Sequence, residues 1–174
     1  SDKLTAIWLS PDEWMVYGKD IDKNLIPFQH EDLDKWRANF TGVQFHHEET
    51  DLLLTGAVDD VWIDLDTEEL VVVDYKSTSS KDEVTLDKDW QISYKRQMEF
   101  YQWLLRQNGF KVSNDGYFVY CNGDKQRSEF DSKVHFKISV LEYKGNESWI
   151  EETIFQIKEL LDQDKVPDYS EDCD

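Results

Sequence analysis

The sequence predicts an α/β fold, a mixed β-sheet with helices on its faces. Three observations lead there. Between residues 43 and 76, strand-like apolar segments follow one another with only short turns between them, so consecutive strands pair antiparallel. A helical period then runs through "DWQISYKRQMEFYQWLLRQNG", residues 89–109. Two more strand-like segments and a helix follow, and a strand–helix–strand crossover places the strand after the helix parallel to the one before it, with right-handed connection.

Residues 1–42 are the least legible. In "SPDEWMVYGKD", Ser10 resembles an N-cap, followed by Pro11 and two acids, which predicts a short helix. "HEDLDKWRANF" predicts another, with Leu33, Trp36, Arg37 and Phe40 at helical spacing. From Val43 the pattern becomes that of strands. "VQFHHEE" and "LLLTGAVDDVWIDL" flank a hairpin turn at Thr50 and Asp51, and "DTEE" turns the chain into "LVVVDYK". In the long helix, Tyr94, Met98, Tyr101 and Leu105 mark one face, and Gly109 is a natural stop. "GYFVYCNG" and "SKVHFKISVLEYK" alternate like strands. "SWIEETIFQIKELLDQD" predicts a last helix capped by Ser148, with Glu151 three residues on. No internal repeat or long linker appears, so residues 1–174 are expected to form one domain, with its chemistry in residues 43–121.

Composition narrows the function classes. Seven Trp, eight Tyr and nine Phe suit a folded chain with a real core. The two cysteines, Cys121 and Cys173, suggest no disulfide framework and a reducing compartment. No run approaches the roughly 18 apolar residues of a membrane span, and the N-terminus shows no signal-peptide pattern, so a cytoplasmic location is expected. The net charge of −19 argues against a surface that attracts nucleic acid everywhere. It leaves room for a local basic patch, or for metal ions between acids and phosphates.

The segment "ELVVVDYKSTSS" (69–80) concentrates the chemistry. Leu70 to Val73 read as a buried strand, yet Asp74 and Lys76 follow on the face of Val72. A buried unpaired charge is costly, so these two form either a structural ion pair or part of a site. In "TGAVDDVWID", Asp59 shares parity with the apolar Val61, Ile63 and Leu65, and Asp60 with Trp62 and Asp64. Asp59 is therefore expected to point inward, and Asp60 to face water or a second layer. Asp59 and Asp74 on neighbouring antiparallel strands repel each other unless a cation sits between them. Mg²⁺ takes such oxygen ligands and keeps several waters. Lys76 is placed to hold a phosphate oxygen or to help deprotonate an attacking water.

"GAVDD", "VVVDYKSTS" and "QMEFYQWLL" together resemble the RecB-like branch of the PD-(D/E)XK nuclease superfamily. That branch shows a G-x-x-D motif, an apolar strand ending in D-x-K, and a Q-x-x-x-Y motif on the next helix. Here these are Gly56 and Asp59, then Asp74, Tyr75 and Lys76, then Gln97 and Tyr101. The resemblance implies a restriction-endonuclease-like fold and a DNA phosphodiester hydrolase. It implies Mg²⁺ or Mn²⁺ held by Asp59, Asp74 and the main-chain carbonyl of Tyr75, with Lys76 assisting the attacking water and Gln97 and Tyr101 lining the site. Work in DNA repair, recombination or defence, within a larger helicase–nuclease or recombination assembly, is implied as well.

The departures are equally specific. Many members of that branch add a metal-binding His from an upstream helix; His30, His46 and His47 are available, and only His30 lies near a predicted helix. Some relatives hold an iron–sulfur cluster, for which two cysteines are too few unless the native chain is longer. "DIDKN" imitates the start of a calcium loop but has Leu25 where Gly is needed. "HHEETD" lacks the second His of a zinc-protease helix. Lys95 and Arg96 are candidates for phosphate contact, against a merely solvated face. Two other classes stay open: a catalytically silent nuclease fold that binds nucleic acid or acts as a scaffold, and an acidic domain that mimics DNA.

Overall fold

The computed structural model describes residues 5–7, 16–18, 21, 23–125, 135–166 and 168, the first two segments as backbone alone. β1 (Thr5–Ile7) and β2 (Val16–Gly18) form an antiparallel pair, and β3 (Leu25–Pro27) leads into the short helix α1 (Leu33–Trp36). β4 (Val43–His47) and β5 (Leu52–Gly56) form a hairpin. Next come β6 (Asp60–Asp64), β7 (Glu69–Thr78), a 3₁₀ turn at Asp89–Gln91 and the long helix α2 (Ile92–Gln107). β8 (Asp115–Gly123), β9 (Phe136–Lys144) and α3 (Ile150–Leu161) complete the order.

The central sheet has the order β3-β6-β7-β8-β9. β7 and β8 are parallel across α2, as the crossover rule requires, and every other pairing in the sheet is antiparallel. Leu70 to Val73 are all buried because both faces of β7 are covered. Leu70 and Val72 join the main core with Met98, Leu104 and Leu105 of α2, Trp36 of α1 and Ile150 and Ile154 of α3. Val71 and Val73 turn to a smaller core with Trp62, Tyr117 and Val119.

Several expectations change. The segment 52–65 is not one strand: β5 and β6 belong to different sheets, separated at residues 57–59. The break follows Gly56, whose backbone approaches α2 so closely that a Cβ would sit 2.8 Å from the Tyr101 ring and 2.9 Å from Leu104. Val58, buried, then donates its N–H to Trp36 O at 3.0 Å, tying the break to α1. α1 itself is one turn long, and Phe40 lies wholly exposed beyond it. β3 carries no strand signal because Pro27 ends it after three residues. In the predicted helix at 10–20, Val16–Gly18 are a strand and the remainder lies outside the described residues. The N-cap of α3 is Trp149, not Ser148, with no side-chain cap. Gly109 does end α2, at φ 86°, where a side chain would be strained. Among the described residues no helix is long and apolar enough to cross a membrane.

Candidate active site

Asp59, Asp74 and Lys76 meet at one end of the sheet, where β7 runs past the last residue that β6 pairs. Val73 is matched by Asp60, and beyond it that edge of β7 is free of the β6 ladder. Asp59, just before β6, fills the gap: its Oδ2 accepts the Tyr75 N–H at 2.8 Å. The N–H and C=O of a strand residue point to the same edge, so the Tyr75 carbonyl faces the Asp59 side as well.

Asp74 is 2 % exposed. Burial pushes its carboxyl up to about 6; Asp59 adds to the rise and Lys76 opposes it. Lys76 Nζ lies 2.7 Å from Asp74 Oδ2, but off the direction of a hydrogen bond, so this buried oxygen has no hydrogen-bond partner. The ammonium also donates to Gln97 Oε1 at 3.1 Å, and lies 4.3 Å from the centre of the Tyr94 ring. Gln97 Nε2 donates in turn to the Tyr101 hydroxyl at 2.8 Å. Four residues apart on α2, Gln97 and Tyr101 form one relay that fixes Lys76. Burial holds the Tyr101 hydroxyl above its ordinary pKa, with Asp74 and Asp59 adding to the rise, so it stays protonated.

The parity reading of the two adjacent aspartates is corrected. Asp59 is exposed, while Asp60 is fully buried. Both faces of β6 are covered, so parity alone does not say which acid meets water. Asp60 is a structural anchor. It accepts from Arg37 Nη2 at 2.5 Å, from the Tyr75 hydroxyl at 2.9 Å and from its neighbour's Val61 N–H at 2.8 Å. Arg37 Nε donates to Asp59 O as well, so this cluster holds the backbone of Asp59 in place. The one signal available in the sequence was a charge amid apolar residues, which needs a partner.

Other candidates fall elsewhere. His30 is stacked on Trp36, 4.6 Å between ring centres, and its Nδ1 accepts the Asp32 N–H at 3.1 Å. Among the described residues no third His, Cys, Asp or Glu joins the two carboxylates in a metal-sized group. Neither His46, paired with Asp51, nor His47, buried between Thr50 and Glu151, is drawn into the site. Lys95 and Arg96 lie over the rings of Tyr143 and Trp149, which holds them toward β9 and the start of α3. At about 100° per residue they sit some 160° and 100° around α2 from Gln97, so they do not share its face. Trp90 is the exception among the aromatics of this region: it is 57 % exposed and packs edge-on against Tyr94.

A hard divalent cation fits what is present. Asp59 and Asp74 supply carboxylates, the edge of Tyr75 a carbonyl, and Asp74 Oδ2, ion-paired with Lys76 but without a well-aligned hydrogen bond, a free acceptor direction. Mg²⁺ is commonly held by one or two carboxylates with water and phosphate completing the shell.

The site thus stands on a mixed five-stranded sheet flanked by helices, with a carboxylate pair and a lysine at the end of its central strand. A model of the PD-(D/E)XK nuclease superfamily matches residues 9–174, and the chain belongs to that superfamily. Its sheet is accordingly the restriction-endonuclease-like fold, and the family points to a nuclease with a nucleic-acid substrate. Comparison with curated proteins and with solved structures gives no match.

Proposed function

We propose that this chain is a RecB-like, Mg²⁺- or Mn²⁺-dependent deoxyribonuclease that serves DNA repair, recombination or defence, within a larger assembly. The observation that carries the reading is the meeting of Asp59, Asp74 and Lys76 around a buried carboxylate oxygen without a hydrogen-bond partner. Asp59, Asp74 and the Tyr75 carbonyl would hold the cation. When bound, the cation supplies positive charge against the phosphoryl oxygens and acidifies water in the site. Lys76 lies within reach of the same space. Its ammonium is oriented by Gln97 and Tyr101, so it stabilises charge that develops on phosphate oxygens and helps to position the attacking water.

The 2.7 Å contact between Lys76 and Asp74 also suits a second reading, a silent nuclease fold in which the two merely neutralise each other. Digestion of linear, circular and single-stranded DNA in Mg²⁺ and Mn²⁺ separates the two. The nuclease reading expects metal-dependent cleavage that Lys76→Ala lowers by about 10²-fold or more, the scale of losing a positioned acid–base or electrostatic group. No cleavage of any substrate by the wild type, or undiminished cleavage by the variant, would leave the silent module standing.

A further inference from the structure

The cations of this acidic chain mostly have partners. Lys23, Arg37, Lys76, Arg106 and Lys158 hold carboxylates, and Lys95 and Arg96 lie over aromatic rings. Lys81, Lys125 and Lys137 differ. Among the described residues their ammonium groups have no ion pair or hydrogen bond, in a chain of net charge −19, and all three line one cleft of about 230 Å³. Ser79, Ser80 and Asn122 line it with them, and Asp124 is the single acid on its wall. Asn122 is pinned by its Nδ2 to Ser80 O at 3.0 Å, while its Oδ1 is buried without a partner. The cleft therefore presents unfilled donors.

Its position follows from the sheet register. Thr78 pairs with Asn122, which pairs with Lys137; one step back, Lys76 pairs with Tyr120 and Tyr120 with Ser139. Residues two apart in a strand share a face, so Asn122 and Lys137 stand on the face that carries Asp74 and Lys76. Two strand spacings and two residues separate the Cα atoms of Lys76 and Lys137, about 12 Å. Stacked nucleotides advance about 3.4 Å each along the helix axis and their phosphates lie farther apart than that, so this is a reach of at most three or four.

We propose that this cleft holds a phosphate of the nucleic-acid strand while a phosphodiester no more than three or four nucleotides away lies at Asp59, Asp74 and Lys76. The identity of the strand rests on the nuclease reading above. Three flexible ammonium groups beside two serine hydroxyls make point-charge contacts suited to phosphate, which position a strand without reading its bases. The cleft also resolves the conflict between a strongly acidic chain and a polyanionic substrate, because it concentrates unpaired positive charge where the strand must pass.

The test is anisotropy of a labelled single-stranded oligonucleotide in Mn²⁺, in a Lys76→Ala background so that the strand is not consumed. Changing Lys81, Lys125 and Lys137 together to Gln should weaken binding at least about tenfold and flatten the salt dependence by about 0.7, for one phosphate neutralised on a single strand. All three side chains are exposed, so the melting temperature should hold. If the triple variant melts early, Lys125→Gln and Lys137→Gln singly should each weaken binding and flatten the slope by a part of that. Oligonucleotides with a 5′-phosphate or a 5′-hydroxyl distinguish a strand-end phosphate from an internal one. Loss of the lysine effect with the hydroxyl places the phosphate at the end, and its persistence places it within the strand. Unchanged affinity and salt slope in variants that melt normally would overturn the proposal, whether or not the wild type cleaves DNA. Absence of cleavage by the wild type, with the slope still falling, would instead overturn the nuclease reading alone.

Discussion

Burial raises the Asp74 carboxyl from its ordinary 3.8 to about 6, with Asp59 adding to the rise and Lys76 opposing it. Between those values the folded chain keeps a proton that the unfolded chain has released. Stability contributed by this group is therefore complete below about pH 4 and is lost as pH rises through about 6, an effect of about 3 kcal/mol. Without metal, Asp74→Asn should melt higher than wild type at about pH 7.5, with the advantage gone near pH 4. If Lys76 and Asp74 were chiefly a structural ion pair, the variant would melt lower at neutral pH. Denaturant unfolding at the two pH values decides. Asp60 is the opposite case. Its carboxylate is fully buried and bound to Arg37 and Tyr75. Removing one partner of such a pair leaves the other uncompensated, so Asp60→Ala should cost about 3–5 kcal/mol. Asp59→Ala, at an exposed position, should cost little stability while removing metal binding. A chevron of each variant would show whether these adjacent acids divide structure and chemistry in this way.

At the scale of elements, α2 is the support of the site, and Gly56 is what lets it approach. A methyl at Gly56 would meet Tyr101 at 2.8 Å and Leu104 at 2.9 Å, within a buried contact. Gly56→Ala should cost about 1–3 kcal/mol, as overpacking does, and should lower cleavage by moving Tyr101 and the relay to Lys76. Wild-type activity with an unchanged melting temperature would show that α2 can shift freely. Much of this element was legible in the sequence, because Met98, Tyr101 and Leu105 repeat at helical spacing and Gly109 stops them. The motif glycine was visible too, though not its consequence: it also marks where β5 ends and the chain passes from the hairpin to the central sheet. Elements set by distant contacts were harder to read. β3 is held by pairing with β6, and α1 by burying Leu33 and Trp36 in a core to which β4, β6, β7, α2, β8 and α3 all contribute. A three-residue strand and a one-turn helix have too little periodicity to announce themselves. Among site residues, the relay Lys76–Gln97–Tyr101 follows from motif order and helical spacing. The exchange of environments between Asp59 and Asp60 does not, because a strand buried on both faces gives parity no outside to refer to.

At the scale of the whole molecule, charge sets the conditions under which the chain meets its substrate. A net charge of −19 repels a polyanion at long range, and screening weakens that repulsion beyond about 10 Å at moderate salt. On the proposed reading, a divalent cation at Asp59 and Asp74 would act at short range, where two carboxylates would otherwise face the scissile phosphate. Metal binding and pH are then coupled through Asp74, since a ligand carboxylate must lose its proton first. Mn²⁺ binding only the folded chain adds RT ln(1 + [L]/Kd) to stability. The gain in melting temperature at millimolar Mn²⁺ should be large at about pH 7.5 and should shrink toward zero at about pH 5, below the raised Asp74 value. Lys76→Ala should enlarge the gain at about pH 7.5, because a cation and the ammonium compete for the same Asp74 Oδ2, and leave it near zero at about pH 5, because loss of the ammonium raises the Asp74 pKa further. Differential scanning fluorimetry of the two proteins at the two pH values tests the whole coupling. A gain independent of pH would place the ion on other carboxylates of this acidic surface. A smaller gain in Lys76→Ala would mean that the lysine supports the ion and does not compete with it. In either case the arrangement of charges proposed for the site would have to be redrawn.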